Sequence, residues 1–336
     1  MFISLRIIRG FRGGLDTLCK SLPTPNMLSL FFVFSSKVLE EMFYIQSSEA
    51  LQILKNSLRK HLPESLKVYG TVFHMNQGNP FKLKAVVDKW PDFNTVVIRP
   101  QEQDMTDDLD HYNNTYLIYS KDPKHCQEFL GSSDVINWKQ HLQIQSSQAD
   151  LGKVIENLGA TNLGKVKHKQ CFLYMVSHTA KKLTPSLVDA KHLVVSSEKP
   201  TPFDHQLFKF ARLDVKHAAL VNSIWYFGGN EKSQKFIERC IFTFPSVCIM
   251  GPEGTPVSWA LMDHTGELRM AGTLPKYRHQ NLIYHVAFHQ VHTLEKLGFP
   301  MYLHVDKVNL TIQRMSAVLG HVPMPCTWNQ WNWVPL

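Results

Sequence analysis

The residues of this chain whose types and spacing could do chemistry lie between positions 261 and 281, LMDHTGELRMAGTLPKYRHQN. Residues 262–266 offer a turn after an apolar run. Glu267-Leu268-Arg269-Met270-Ala271 then alternates polar with apolar until Gly272 interrupts it. The alternation predicts a hairpin whose second strand carries a carboxylate. Successive strand side chains point to opposite faces, so Glu267, Arg269 and Ala271 are expected on one side and Leu268 and Met270 on the other. Facing a cleft, Glu267 is a candidate proton acceptor; its plainer role is an ion pair with same-face Arg269. Past Gly272 the chain runs to a Pro275 break, a basic Tyr277-Arg278 and a helical pattern from Asn281. A strand feeding a helix N-terminus through a polar turn suits an anion, because the first backbone N–H groups lack partners and the helix dipole is positive there.

Other reactive side chains carry less. His285, His289 and His292 share a helix face at zinc-compatible spacing, but no third ligand or H-E-x-x-H glutamate accompanies them, and a polar helix face is the expectation. No metal is expected. His264, beside Asp263, reads as a turn histidine. Trp328, Trp331 and Trp333 read as core residues, with the lining of a pocket as the alternative. The acidic group from Glu102 to Asp110 lacks the spacing of a calcium loop. The cysteines, Cys19, Cys126, Cys171, Cys240, Cys248 and Cys326, include no C-x-x-C pair, which argues for a reducing compartment.

The whole chain bounds these readings. Its 336 residues suffice for two domains. A net charge of +8 without an aromatic-interleaved basic stripe gives no reason to infer nucleic-acid binding. In residues 1–41, Arg6, Arg9, Arg12, Lys20 and Lys37 face only Asp16 before Glu40, the composition of a mitochondrial targeting extension; the alternative is a start at Met42. The apolar run 27–34 is too short to span a bilayer, which needs about 20 residues.

Periodicity supplies the elements that must position the site. Residues 47–62 predict a helix with Leu51, Leu54 and Leu58 inward, 66–74 a strand, and 83–87 and 94–98 further strands. A Pro/Ser-rich stretch at 184–206 predicts a domain boundary, giving an N-terminal domain over 42–200 and a C-terminal one over 205–336. After it the pattern reads β-α-α-β-β-β-α-β-α-β, with Asn230 capping a helix over 231–242. The class is α+β.

That order resembles the GCN5-related N-acetyltransferase, or acyl-CoA N-acyltransferase, fold. The segments ESLKVYGTVFHMNQGNPFKLKAVVDKWPDFNTVVIRPQEQDMTDDLDHY, INWKQHLQIQSSQ, FGGNEKSQKFIERCI, GPEGTPVSWALMD, TGELRMAGTLPKYR and WNQWNWVPL are similar to the glycine N-acyltransferase family, from position 42 to the last residue. The resemblance implies two such domains in tandem, the first diverged, and a monomer in the mitochondrial matrix. It implies transfer of an acyl group, benzoyl for example, from acyl-CoA as co-substrate to the amino group of glycine, with no permanently bound cofactor.

The resemblance also implies roles. Glu267 matches the family's general base. A backbone N–H at Met270, Ala271 or Gly272 would bind the oxyanion, an effect worth about 10²- to 10³-fold. The turn carrying Arg278, Asn281, Leu282 and Ile283 would hold the CoA pyrophosphate, and Asn309 would contact CoA or cap a helix. Asn281 departs from the superfamily's glycine. Left-handed dihedrals there cost asparagine roughly 1–2 kcal/mol, about tenfold in affinity. A catalytically weakened acyl-CoA-binding protein, an acceptor such as glutamine, or a protein acceptor are the competing expectations. A hydrolase-type acyl transfer would need a G-x-[S/C]-x-G elbow, which the chain lacks.

Overall fold

The computed structural model describes residues 42–189 and 202–336. The expected targeting extension and residues 190–201 of the expected linker lie outside these. The first part runs β1 (Phe43–Ile45), α1 (Ser48–Arg59), α2 (Leu66–Met75), β2 (Leu83–Val87), β3 (Thr95–Pro100), β4 (Thr115–Ser120), α3 (Gln127–Gly131), β5 (Leu142–Ser146), α4 (Leu151–Thr161), β6 (Gly164–Met175) and α5 (Ser177–Leu183). The second part runs β7 (Lys209–Ala211), α6 (Ala218–Ile224), α7 (Glu231–Thr243), β8 (Val247–Met250), β9 (Pro256–Met262), β10 (Leu268–Thr273), α8 (Leu282–Lys296), β11 (Tyr302–Val305), α9 (Leu310–Val318) and β12 (Val322–Pro335).

Local chemistry explains the helix ends. The Ser47 hydroxyl accepts from the Ala50 N–H at 3.2 Å, and Leu51, Leu54 and Leu58 form the buried stripe of α1. Asn230 and Ser233 cap α7 reciprocally. One expectation is corrected: residues 66–74 form helix α2, not a strand. All but Phe73 of its ten residues are buried, so no polar face marks a 3.6-residue period, and Val68, Tyr69, Thr71, Val72 and Phe73 imitate a strand's composition.

The strands make two sheets. One has the order β1-β2-β3-β4-β5-β12-β6-β11, the other β10-β9-β8-β7. The tryptophan-rich β12 lies between β5 and β6, antiparallel to both, and β11 pairs with the far side of β6, so two strands from the second part complete the sheet begun by the first. Among the described residues, one parallel bridge, Glu267 to Tyr302, connects the sheets. Both strands advance from that bridge in the same direction without further pairing, and β10 carries a bulge between Arg269 and Gly272. The sheets therefore meet at Glu267 and part beyond it.

Candidate functional site

The turn between β9 and β10 is held from within. Asp263 Oδ1 accepts from the Thr265 N–H at 2.9 Å, the Thr265 hydroxyl at 2.6 Å and the Glu267 N–H at 3.3 Å, while Gly266 supplies a φ of +77°. Helix α2 packs directly on this turn. A Cβ on Gly70 would stand 2.7 Å from the Thr265 carbonyl oxygen, so the approach requires glycine there. The close contact delivers Lys67 from α2. Its ammonium donates to Thr265 Oγ1 at 3.1 Å and to Glu267 Oε2.

Glu267 is enclosed completely, with 0% of its side chain exposed. Oε2 also accepts from Trp328 Nε1 at 3.2 Å, and Oε1 is hydrogen-bonded to His304 Nδ1. His304 stands two residues after Tyr302 on β11 and therefore on the same face, where the Tyr302 hydroxyl donates to the Thr265 carbonyl at 2.7 Å. Its ring stacks on Trp328, centroids 4.0 Å apart and planes inclined by 14°. Arg269 does not pair with Glu267, against the plainer expectation. It donates to Asp263 Oδ2 at 3.0 Å and Gln330 Oε1 at 3.3 Å, beneath the rings of Trp225, Phe227 and Trp328.

This is a buried cluster of two carboxylates and two cations with a histidine at its edge. Burial acts to raise the Glu267 pKa, but Lys67 and His304 outweigh it and hold the carboxyl at about 2. The Asp263 carboxyl is likewise driven below the ordinary range, burial being overcome by Lys67 and Arg269. Burial lowers the Lys67 and His304 pKa values, with Glu267 pulling each the other way. Burial thus favours the neutral form of the His304 imidazole, against the pull of Glu267. Beside the cluster lies a cavity of about 220 Å³ whose walls include Gln143, Trp225, Phe227, Arg269, Gln330 and Asn332. Phe227 joins it to the cluster, with ring centroids 6.2 Å from His304 and 6.1 Å from Trp328.

The family pattern described as "Aralkyl acyl-CoA:amino acid N-acyltransferase" matches residues 42–245, and that of its C-terminal region matches residues 247–335. The chain belongs to the aralkyl acyl-CoA:amino acid N-acyltransferase family. It is 84% identical over 295 residues to mouse "Glycine N-acyltransferase-like protein Keg1", covering 88% of this chain and all of that one. It is 63% identical over 295 residues to human "Glycine N-acyltransferase", with the same coverage. A solved Drosophila structural-genomics protein superposes with a TM-score of 0.66 at 15% identity, over 86% of this chain and 97% of that one. The fold is the mixed α+β acyl-CoA N-acyltransferase fold that the order of elements led one to expect.

In this acyltransferase chain the other expected site residues fall along β10 and the turn after it. Met270 is buried with a left-handed φ of +56°, and the bulge leaves Met270 and Ala271 without residues opposite them on β9; Gly272 resumes the pairing. The regular alternation expected across 267–271 therefore ends at Met270. Arg278 is exposed and its Nε donates to the Thr273 carbonyl at 3.4 Å. Asn281 starts α8 with φ +57° and ψ +14°, so asparagine does adopt the left-handed conformation. Leu282 is buried and Ile283 half-buried behind it. Asn309 caps α9, its Oδ1 accepting from the Ile312 N–H at 3.2 Å.

The remaining candidates have packing roles. The His264 ring is buried between Phe81 and Phe236, and burial lowers its pKa to about 3. His285, His289 and His292 contact the rings of Phe203, Phe210 and Phe288. Trp331 and Trp333 belong to the core. Lys67 and His304 are the site residues that sequence reasoning did not name, and Trp328, read there as a core or pocket residue, was not linked to Glu267. Lys67 alone had a visible signal, as the one lysine in a mostly apolar ten-residue run.

Proposed function

We propose that this chain transfers an acyl group from acyl-CoA to the amino group of glycine, with Glu267 as the anionic element of the site that drives removal of the amine's proton. The observation that carries this is the position of Glu267 at the single bridge where β10 and β11 meet before parting. A thioester lying in that parting would have the bulged backbone of Met270, Ala271 and Gly272 on one side. Its pyrophosphate would reach the start of α8, where the helix dipole favours an anion. Arg278 stands beside that start. The cavity against Arg269 supports an amino acid acceptor, since Gln143, Gln330 and Asn332 give it polar walls suited to a carboxylate. The family's name and the relatives' names support acyl-CoA and glycine as the pair. Benzoyl is the acyl group of first choice, and the Arg-rich segment before position 42 supports a mitochondrial matrix location.

The test is release of CoA thiol from benzoyl-CoA in the presence of glycine. Wild type is expected to turn over, and Glu267→Gln to lose about 10²- to 10⁴-fold in kcat. Turnover that survives the substitution undiminished at neutral pH removes Glu267 from the reaction. An inactive wild type with an active Asn281→Gly would favour the weakened acyl-CoA-binding reading.

A further inference from the structure

We propose that His304 is the catalytic residue that touches the acceptor amine, and that Glu267 acts through it as a positioning residue. The inference rests on the acyl-transfer reading above and specifies which atom receives the proton.

The geometry makes the division. Both Glu267 oxygens are engaged, Oε2 by Lys67 and Trp328 and Oε1 by His304, and no part of the side chain is exposed. An amine cannot reach it without dismantling those bonds. His304 is the member of the cluster with the largest opening, 12% of its side chain being exposed against 1% for Lys67 and 4% for Arg269. Its Nδ1 is committed to Glu267, and no partner is found for Nε2 among the described residues. A carboxylate on Nδ1 keeps the proton there and leaves the Nε2 lone pair as the acceptor, which is how a buried acid orients a catalytic imidazole. Stacking on Trp328 and the Phe227 ring fixes the plane of the imidazole and places it next to the cavity wall.

Charge supports the same division. The ionisable groups around His304 are Glu267, Lys67 and Arg269, with Asp306, itself paired to Lys169, two residues further on. Burial outweighs the pull of Glu267 and lowers the His304 pKa, which favours the neutral imidazole that can accept a proton. A carboxyl held at about 2 is by contrast a poor base near neutral pH, since general bases work best with a pKa near the operating pH. In the step, the ammonium gives one proton to His304 Nε2 and the nitrogen lone pair forms the N–C bond. The C–S bond breaks, a second nitrogen proton ends on the departing sulfur, and His304 releases its proton to solvent.

The experiment measures kcat against pH, with saturating benzoyl-CoA and glycine, for wild type, His304→Gln, His304→Ala and Glu267→Gln. Circular dichroism melts confirm folding. Expected are an acid limb in wild type below the ordinary histidine value of about 6.5, a drop of about 10²- to 10⁴-fold in His304→Gln with loss of that limb, and partial rescue of His304→Ala, but not of Glu267→Gln, by added imidazole. A folded His304→Gln variant within about threefold of wild type overturns the proposal. So does a wild-type profile with no acid limb at any pH below about 6.5 at which the melts show a folded protein, a readout that does not depend on whether any variant folds. A wild type that releases no thiol overturns the acyl-transfer reading instead.

Discussion

At the scale of single residues, the site depends on which charges are enclosed together. Lys67, Glu267, Asp263 and Arg269 neutralise one another in a space that admits almost no water, and removing one partner of such a pair usually costs about 3–5 kcal/mol because the other is stranded. Asn281 is a separate matter. It holds a left-handed conformation that glycine adopts freely, at the start of the helix expected to receive a pyrophosphate. Asn281→Gly is therefore expected to tighten acyl-CoA binding about tenfold, from a conformational cost of roughly 1–2 kcal/mol. Titration calorimetry with CoA checks this, and unchanged or weaker binding would show that the asparagine side chain favours the ligand. Glu267 was legible because the pattern around it resembles a known family. His304 and Trp328 were not, because what makes them site residues is their contact with a carboxylate 37 and 61 positions away in the chain.

Among the elements, α2 carries the most weight. It presents Lys67 to Glu267 and lays Gly70 against the turn that holds Glu267. Gly70→Ala is expected to push the helix and turn apart. Overpacking of this kind typically costs about 1–3 kcal/mol, and the shift would also disturb the Lys67–Glu267 contact, so both the melting temperature and kcat should fall. A variant with normal stability and activity would mean that the turn yields readily. The same helix is where sequence reading failed. A helix buried all round has no polar stripe, and residues chosen for tight packing are those that also favour strands. The amphipathic α1 and capped α7 were legible because each keeps a solvent face and a polar cap.

For the whole molecule, buried neutral imidazoles tie stability to pH. Burial lowers the pKa of His74 to about 4, of His264 to about 3 and of His321 to about 4, from an ordinary 6.5. Each folded value lies below the unfolded one, so the unfolded chain takes up protons first. The stability these groups contribute is fully present above about pH 6.5 and is lost as pH falls toward 4. Melting temperatures are expected to decline across that window, less steeply in His321→Leu, and a flat profile would show that the rings stay protonated when buried.

The placement of β12 between β5 and β6 has its own result for the order in which the molecule can be made. The ribosome produces β5 and β6 long before the strand that separates them, so each waits with unsatisfied backbone edges while more than 140 further residues are added between β6 and the start of β12. The nascent chain must be kept from pairing those edges wrongly until its final strand emerges. A nonsense mutation just upstream of position 322 would consequently be as damaging as one near the middle of the gene, because it removes a central rib of the sheet together with the indole that touches Glu267.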